Sequence, residues 1–150
     1  MTDIKTVEER SRNMSRIRNK DTGPEVWLRK ELFSAGYRYR KNVKSLPGCP
    51  DIWMAKYSTA VFVNGCFWHR HQGCRYAYVP KSRIEFWTQK FAANIERDAR
   101  VEKELLSTGI RVVIVWECSI KKMMKSEEKC TEMLALVRSF LNSDQRRLEI

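Results

Sequence analysis

The fold of this chain depends on the stretch Gly65-Cys66-Phe67-Trp68-His69-Arg70-His71-Gln72-Gly73-Cys74. It holds both histidines of the protein, two thiols and two large aromatic side chains. Imidazoles and thiols contribute little packing area, so a hydrophobic core would not select this mixture. The spacing of Cys66, His71 and Cys74 instead suits zinc, which binds Cys sulfur and His nitrogen in tetrahedral sites.

A fourth zinc ligand has to come from elsewhere in the chain, and Cys118 is the candidate. It follows the apolar run at residues 111–117 and would reach the cluster from the end of a strand. A site of three Cys and one His is closed and structural, so the metal would hold the loop and leave His69 free. Ordinary buried thiols are the alternative interpretation of this spacing. Cys49 and Cys130 have no histidine neighbours and are predicted to be ordinary core or surface cysteines.

The composition predicts a single domain that binds a polyanion. A chain of 150 residues can bury a hydrophobic core. There are 29 Lys and Arg against 18 Asp and Glu, a net charge of +11, and nucleic acid is the commonest polyanion in the cytosol. No apolar stretch approaches the length of a membrane span. Five cysteines without a signal peptide indicate a reducing, cytoplasmic location.

Charge and hydrophobic patterning divide the chain into three parts. Residues 1–20 are a basic N-terminal arm, residues 21–142 are a single folded domain, and residues 143–150 are a polar and loose C-terminal tail. The arm is either a solvated charged segment or a clamp that becomes ordered on DNA, in which case Arg12 and Arg16 contact the DNA.

The order of the predicted elements is typical of an α/β fold. Four segments have the apolar content of strands: residues 37–40, 51–54, 59–63 and 111–116. Three segments have the apolar period of helices, the first two behind capping boxes: residues 22–35, 82–106 and 127–141. The predicted inner face of the second helix carries Ile84, Trp87, Phe91, Ile95 and Leu105. The sequence therefore predicts a mixed sheet flanked by helices.

Asp51 is a candidate metal-binding carboxylate because it begins a strand directly after Pro50. With a group near the end of the next strand, at Val63 or Asn64, it would suit magnesium, which prefers few protein oxygens and keeps several waters. A metal so placed polarises a phosphodiester and activates water. The alternative is a turn aspartate that starts a strand, which is very common. Glu25 has a capping role in the first helical turn, and a part in a metal site is an added hypothesis.

Asp98 lies on the inward side of the second predicted helix, where a carboxylate is costly unless it is paired. Its predicted partner is His69, whose imidazole would then be oriented as a general acid or base. An ion pair with Arg111 or another neighbouring arginine is the alternative.

Phe67 and Trp68 lie on the loop that the metal would hold. They are either core side chains or an apolar wedge that enters between base steps of DNA. Trp87 either joins them or packs its helix against the core.

Several motifs recur in an order that is similar to one family. They are residues 14–18, Asp21-Thr22 with Glu25, residues 47–51 and 63–69, Phe86-Trp87 with Lys90, Asn94 with Arg97-Asp98, and residues 115–118. Together they strongly resemble the very short patch repair (Vsr) DNA mismatch endonucleases. The match runs from about Arg10 to Cys118, and the last helix and the tail carry no distinctive markers.

The resemblance implies a restriction-endonuclease-like fold and magnesium-dependent nicking of one DNA strand. The family cuts on the 5′ side of the thymine in a T·G mismatch, which arises when 5-methylcytosine deaminates, and so begins very short patch repair. Asp51 would bind magnesium together with the backbone carbonyl of Val63. His69 would be the catalytic imidazole, with Asp98 and Glu25 supporting the site.

The same resemblance assigns the other site residues and the partners. The implied zinc ligands are Cys66, His71, Cys74 and Cys118. The implied intercalating aromatics are Phe67, Trp68 and Trp87. Residues 21–142 would be the nuclease domain, with structural zinc and catalytic magnesium as cofactors. The expected partner is double-stranded DNA with a T·G mismatch, and general mismatch-repair proteins are further candidates. We expect a monomer without membrane attachment.

Asn64, a further candidate catalytic residue, departs from the family pattern, because well-known members have a second active-site histidine there. Asparagine can hydrogen-bond a phosphate or a water but does not transfer protons near neutral pH. Either His69 is then the single imidazole of the site, or water is activated by another route. Two other functions fit the same residues: a non-catalytic zinc-stabilised DNA-binding module, and a restriction-type nuclease of this fold with another target.

Overall fold

A computed structural model of the chain describes residues 21–150. The predicted basic arm at residues 1–20, with Arg12 and Arg16, lies outside the described residues. Between residues 21 and 150, five strands form one sheet and four α-helices cover its two faces. The predicted α/β class, a mixed sheet flanked by helices, is therefore confirmed. No helix in this part of the chain is long and apolar enough to cross a membrane.

The sheet keeps its strands in chain order. The strands are β1 (Arg40–Lys41), β2 (Ile52–Met54), β3 (Thr59–Asn64), β4 (Arg111–Trp116) and β5 (Arg147–Glu149). The helices are α1 (Gly23–Ser34), α2 (Ile84–Ser107), α3 (Glu117–Met124) and α4 (Glu127–Leu141). The pairs β1–β2 and β2–β3 are antiparallel, whereas β3–β4 and β4–β5 are parallel. The C-terminal ends of β3, β4 and β5 therefore lie at the same edge of the sheet.

The larger hydrophobic core lies on the face of the sheet that α1, α3 and α4 cover. Alternate residues of the central strands, such as Val61 and Val113, point into it, because successive side chains of a strand face opposite sides. Leu28 and Leu32 of α1 lie one helical turn apart and are almost fully buried in the same core. The cap predicted for α1 is present, since the Thr22 Oγ1 accepts a hydrogen bond from the Glu25 N–H.

The opposite face of the sheet is covered only in part by α2. Leu105 near the end of this helix is fully buried, but Ile84 and Ile95 are 57% and 53% exposed. The predicted core face is therefore wrong at these two positions, and Ile95 lines a cleft that separates this part of α2 from the sheet. The second predicted capping box is wrong as well. The helix begins only at Ile84, after Arg83, which has a left-handed backbone and makes no side-chain cap bond.

Gly48 lets the turn before β2 pass directly beneath α2. Its φ of +74° lies in the region that favours glycine, and a Cβ at this position would collide with Val101 of the helix. A larger residue would push the turn away from α2. This turn therefore fixes where Asp51 enters the sheet.

Residues 143–150 are not the loose tail that the sequence predicts. They end in β5, which pairs with β4, and the Ile150 N–H donates to the Ile114 carbonyl at 2.8 Å. Leu148 and Ile150 pack against the larger core, while Arg147 and Glu149 point toward the cleft. The prediction failed because a short edge strand needs few apolar residues, so its composition is close to that of a loop.

Candidate active site

The ends of β3 and β4 place two distant segments of the chain side by side. The strands are parallel, with Asn64 opposite Trp116. Gly65 and Glu117 therefore leave the sheet at the same edge, one into the Cys/His stretch and the other into α3. Cys118 lies in the first turn of α3 and not at a strand end as predicted, because the helix begins directly after β4.

Four side chains at this edge form a group that could hold a metal ion, and we call it the Cys/His cluster: Cys66, His71, Cys74 and Cys118. Their ligand atoms all lie within 4.8 Å of one another. The Sγ of Cys118 is 3.4 Å from the Nδ1 of His71, and the Cys118 N–H donates to the Cys66 Sγ at 3.4 Å. The structure thus brings together the four residues that the sequence predicts as ligands.

The donor set of the Cys/His cluster fits a soft transition metal. Burial raises the pKa of the Cys66 thiol to about 12, so this group would be costly to ionise without a cation. Cys118 lies at the start of α3, where the helix N–H groups favour negative charge. Because a thiol that coordinates a metal is deprotonated, a bound cation would remove the cost of burying these sulfurs.

His71 packs against Trp116 of β4, which is hydrogen-bonded to Glu149 of β5. Its ring stacks on Trp116 with the centroids 4.1 Å apart and the planes within 6° of parallel. The Trp116 Nε1–H donates to the Glu149 carboxylate at 2.6 Å, and this hydrogen bond lowers the pKa of Glu149. Sequence reasoning missed Glu149 because it placed this residue in a loose tail.

His69 and Asp98 form a close ionisable pair next to the Cys/His cluster. The His69 Nδ1 is 2.6 Å from an Asp98 carboxylate oxygen. On the preceding turn of α2, Asn94 donates to the Trp68 carbonyl at 3.0 Å, so the helix holds both the imidazole and its loop. Arg111, the alternative partner of Asp98, instead donates to backbone carbonyls at the C-terminal end of α4.

A cleft of about 1110 Å³ lies between α2 and the sheet beside this pair. Asn64, His69 and Asp98 all line it. Three of the predicted catalytic side chains therefore share one space that is large enough for a substrate group. Asp51 and Glu25 do not contribute to its lining.

Asp51 is a partly buried carboxylate bound to the neighbouring strand. Its Oδ2 accepts a hydrogen bond from the Val63 N–H at 2.7 Å. Burial raises the pKa of Asp51 to about 7 in spite of this hydrogen bond, and the Glu25 carboxylate acts in the same direction as burial. The positive charge that His69 can carry has the opposite effect. Asp51, Glu25 and His69 thus interact electrostatically although they come from the residue before β2, from α1 and from the loop.

Glu25 belongs to a charged group that sequence reasoning saw only in part. Glu25 is 4% exposed, its carboxylate accepts a hydrogen bond from the Asp21 N–H at 2.9 Å, and burial raises the pKa of this carboxylate. Arg29, one turn later, is 2.7 Å from Asp21 and 3.7 Å from Glu25. The Nη1 of Arg29 is buried and makes no hydrogen bond within residues 21–150. Arg29 was missed because a lone arginine on a helix usually faces solvent.

The predicted intercalating side chains pack against one another. Phe67 contacts Trp68 and Trp87 with ring centroids 5.0 and 5.5 Å apart, and it contacts Tyr78 and Phe91 at 5.1 and 5.3 Å. We call these five rings the aromatic cluster. It is separate from the two main cores, and Trp87 belongs to it. Its members support each other and do not project singly into solvent.

Several known proteins are similar to this chain over most of its length. A family model described as DNA mismatch endonuclease Vsr matches residues 2–75. A type II nicking enzyme of Neisseria meningitidis serogroup A is 46% identical over 134 residues, which are 89% of this chain and 95% of that protein. This chain belongs to the Vsr family. The DNA mismatch endonuclease Vsr of Escherichia coli K12 is 41% identical over 135 residues, 89% of this chain and 86% of that protein.

Membership of the Vsr family makes this chain an endonuclease with a restriction-endonuclease-like α/β fold. The segment that matches the Vsr model includes the loop with His69 and the carboxylates Glu25 and Asp51. Asp98 and Cys118 come from beyond it, on α2 and α3. The candidate site is therefore completed by residues from the second half of the chain, outside the segment that matches the Vsr model.

The raised pKa of Asp51 leads to a prediction about stability. The pKa of Asp51 in the folded protein, about 7, exceeds its ordinary value of 3.8. The cost of ionising Asp51 in the fold is therefore fully present above pH 7 and absent below about pH 4. Asp51→Asn keeps the acceptor for Val63 and removes the charge. We expect it to stabilise the metal-free protein by a few kcal/mol at pH 8 and hardly at pH 4.

Thermal unfolding at the two pH values measures this effect. Asp144→Asn, which changes an exposed aspartate, is the matched control and should leave the melting temperature unchanged. An Asp51→Asn variant that melts at or below the wild-type temperature at pH 8 would contradict the electrostatic account.

Proposed function

We propose that this Vsr-family endonuclease is a magnesium-dependent nicking enzyme for T·G mismatches. It cuts on the 5′ side of the thymine where 5-methylcytosine has deaminated and so begins very short patch repair. The observation that carries the proposal is the His69–Asp98 pair, held at 2.6 Å at the edge of a cleft and next to the aromatic cluster. The relative from Escherichia coli, named a DNA mismatch endonuclease, supports it.

In this proposal the carboxylate of Asp51 and the backbone carbonyl of Val63 hold magnesium. The residues fit the ion, because a cation would offset the cost of ionising the partly buried Asp51 beside Glu25, and magnesium prefers few protein oxygens. A bound magnesium ion would supply polarisation of the phosphodiester and of a water. Glu25 adds negative charge that favours a cation, and Arg29 keeps Glu25 in place.

In this proposal His69 transfers protons as the general acid or base of the site. The Asp98 carboxylate engages its Nδ1, which favours the tautomer with the proton on Nδ1 and leaves Nε2 to accept or donate a proton at the phosphate. Asn64 lines the same cleft and would hydrogen-bond a water or a phosphate oxygen without changing its own charge. A single imidazole therefore serves this site.

We assign zinc to the Cys/His cluster. Three thiols and one imidazole with ligand atoms within 4.8 Å match the closed tetrahedral sites that zinc occupies in a structural role. The metal would hold both ends of the loop that carries His69, so it supports the chemistry without taking part in it.

Recognition of the mismatch falls to the aromatic cluster. A T·G pair stacks and pairs less firmly than a T·A pair, so entry of Phe67, Trp68 and Trp87 next to it costs less. The net charge of +11 adds salt-dependent affinity for any DNA, and the arm at residues 1–20 with Arg12 and Arg16 would contribute to it. We place the enzyme in the bacterial cytoplasm, acting as a monomer, with mismatch-repair proteins as candidate partners.

Asp51→Ala tests the catalytic half of the proposal. We expect the rate of magnesium-dependent nicking to fall by on the order of 10²–10³, because the metal loses its charged ligand. Binding to T·G duplex should stay within about threefold, since Asp51 is not part of the DNA-facing aromatic cluster. The measurement is nicking and binding of matched and mismatched duplexes, with Asp144→Ala as a control.

The wild type in the same assay separates the competing functions. Equal nicking of a matched duplex would indicate a restriction-type nuclease with another target. Binding without nicking would indicate a non-catalytic DNA-binding module. Normal nicking by Asp51→Ala would refute the metal assignment.

Cys118→Ala tests the zinc assignment. Metal analysis of the wild type should give one zinc per chain. The variant should lose it and melt on the order of 10 °C lower, because binding of a structural metal is coupled to folding. Cys130→Ala, which removes a thiol outside the Cys/His cluster, should keep the zinc. A Cys118→Ala protein with full zinc content and stability would exclude this ligand set.

A further inference from the structure

Arg70 occupies a backbone position that favours glycine. It lies between His69 and His71 and has a φ of 54°, in the left-handed region that strains residues with a Cβ. Glycine would adopt this conformation without strain. The presence of an arginine therefore needs an explanation from its side chain.

The guanidinium of Arg70 joins two separate backbone segments. Its Nη1 donates to the carbonyls of Phe67 and Tyr78, each at 3.1 Å, and its Nη2 donates to the carbonyl of Ala77 at 2.6 Å. Phe67 lies between the first two ligands of the Cys/His cluster, whereas Ala77 and Tyr78 follow its third ligand. The planar fork of an arginine suits several acceptors in fixed directions, and a lysine cannot reproduce this arrangement.

The same guanidinium lies against the aromatic cluster. Its central carbon is 3.8 Å from the ring centroid of Phe91 and 5.6 Å from that of Phe67. Two of the carbonyls that it binds belong to Phe67 and Tyr78, which are themselves members of the cluster. Arg70 therefore contacts both the rings and the backbone carbonyls of the aromatic cluster.

Arg70 lines the cleft, but both of its terminal nitrogens already donate to protein carbonyls. These contacts distinguish it from an arginine whose guanidinium is free to bind phosphate. Arg83 is the useful contrast, because it also has a φ of 54° but its guanidinium lies over the ring of Phe86, which is 43% exposed.

We infer that Arg70 is a positioning residue that holds the aromatic cluster in the conformation that recognises the mismatch. The inference rests on the recognition role proposed above for Phe67, Trp68 and Trp87. Rings that are already ordered lose less conformational entropy when they enter DNA. Arg70 thus acts on selectivity through the cluster, and its charge is not the property that matters.

Three variants test the inference with two measurements. Arg70→Gly suits the left-handed backbone and removes the fork, Arg70→Lys keeps the charge, and Arg83→Gly is the matched control at the same φ. The first measurement is the ratio of binding constants for T·G and T·A duplexes. The second is acrylamide quenching of tryptophan fluorescence without DNA, which reports the solvent accessibility of the five tryptophans; Trp68 and Trp87 are the two in the aromatic cluster. Zinc content verifies the fold.

We expect Arg70→Gly to keep its zinc, to lower the T·G to T·A ratio by about tenfold and to increase quenching, because several rings lose their order. Arg70→Lys should lose most of the ratio as well, and Arg83→Gly should stay within about twofold of the wild type. An unchanged ratio or unchanged quenching in Arg70→Gly overturns the inference, and so does full selectivity in Arg70→Lys. If Arg70→Gly lacks zinc, Arg70→Lys decides by the same two measurements.

Trp68→Ala separates failure of this inference from failure of the proposed recognition role. If Trp68→Ala lowers the ratio and Arg70→Gly does not, only the inference is wrong. If Trp68→Ala leaves the ratio unchanged, the aromatic cluster does not recognise the mismatch, and both are wrong.

Discussion

The meeting of Cys66 with Cys118 at the edge of the sheet is the contact on which the rest of the site depends. The two residues are 52 positions apart, and they meet because β3 and β4 run parallel and end together. With His71 and Cys74 they fix both ends of one loop. That loop carries His69 together with Phe67 and Trp68 of the aromatic cluster. The proposed catalytic and recognition roles would therefore depend on the same few backbone positions.

Burial makes ionisation costly in both parts of the candidate site, at the Cys66 thiol of the Cys/His cluster and at the carboxylates of Asp51 and Glu25. Burial raises the pKa of Cys66 to about 12. A soft metal at the Cys/His cluster would offset the cost of ionising this buried thiol. The carboxylates of Asp51 and Glu25 are crowded, and burial raises the pKa of each. Arg29 offsets part of that negative charge. The fold thus tolerates an electrostatic cost at these carboxylates, and the magnesium ion proposed there would offset it.

Much of this arrangement could be predicted from local sequence patterns. The apolar runs place β3 and β4, and the four cluster residues follow from ligand type and spacing. Short elements, and residues whose partners are distant in sequence, could not be predicted in this way. Helix α3 follows β4 without a linker, and β5 has too few apolar residues to differ from a loop. The exposure of Ile95 depends on a cleft, and the roles of Arg29 and Glu149 depend on partners that no local pattern shows.

We propose that one metal-held loop serves both catalysis and recognition. Removing the metal from the wild-type protein with a zinc-selective chelator, at constant magnesium, tests it most directly. The nicking rate on T·G duplex and the T·G to T·A binding ratio are measured on the same sample. We expect the nicking rate and the binding ratio to fall together and both to return when zinc is restored. Loss of nicking with an intact binding ratio, or the reverse, would contradict it.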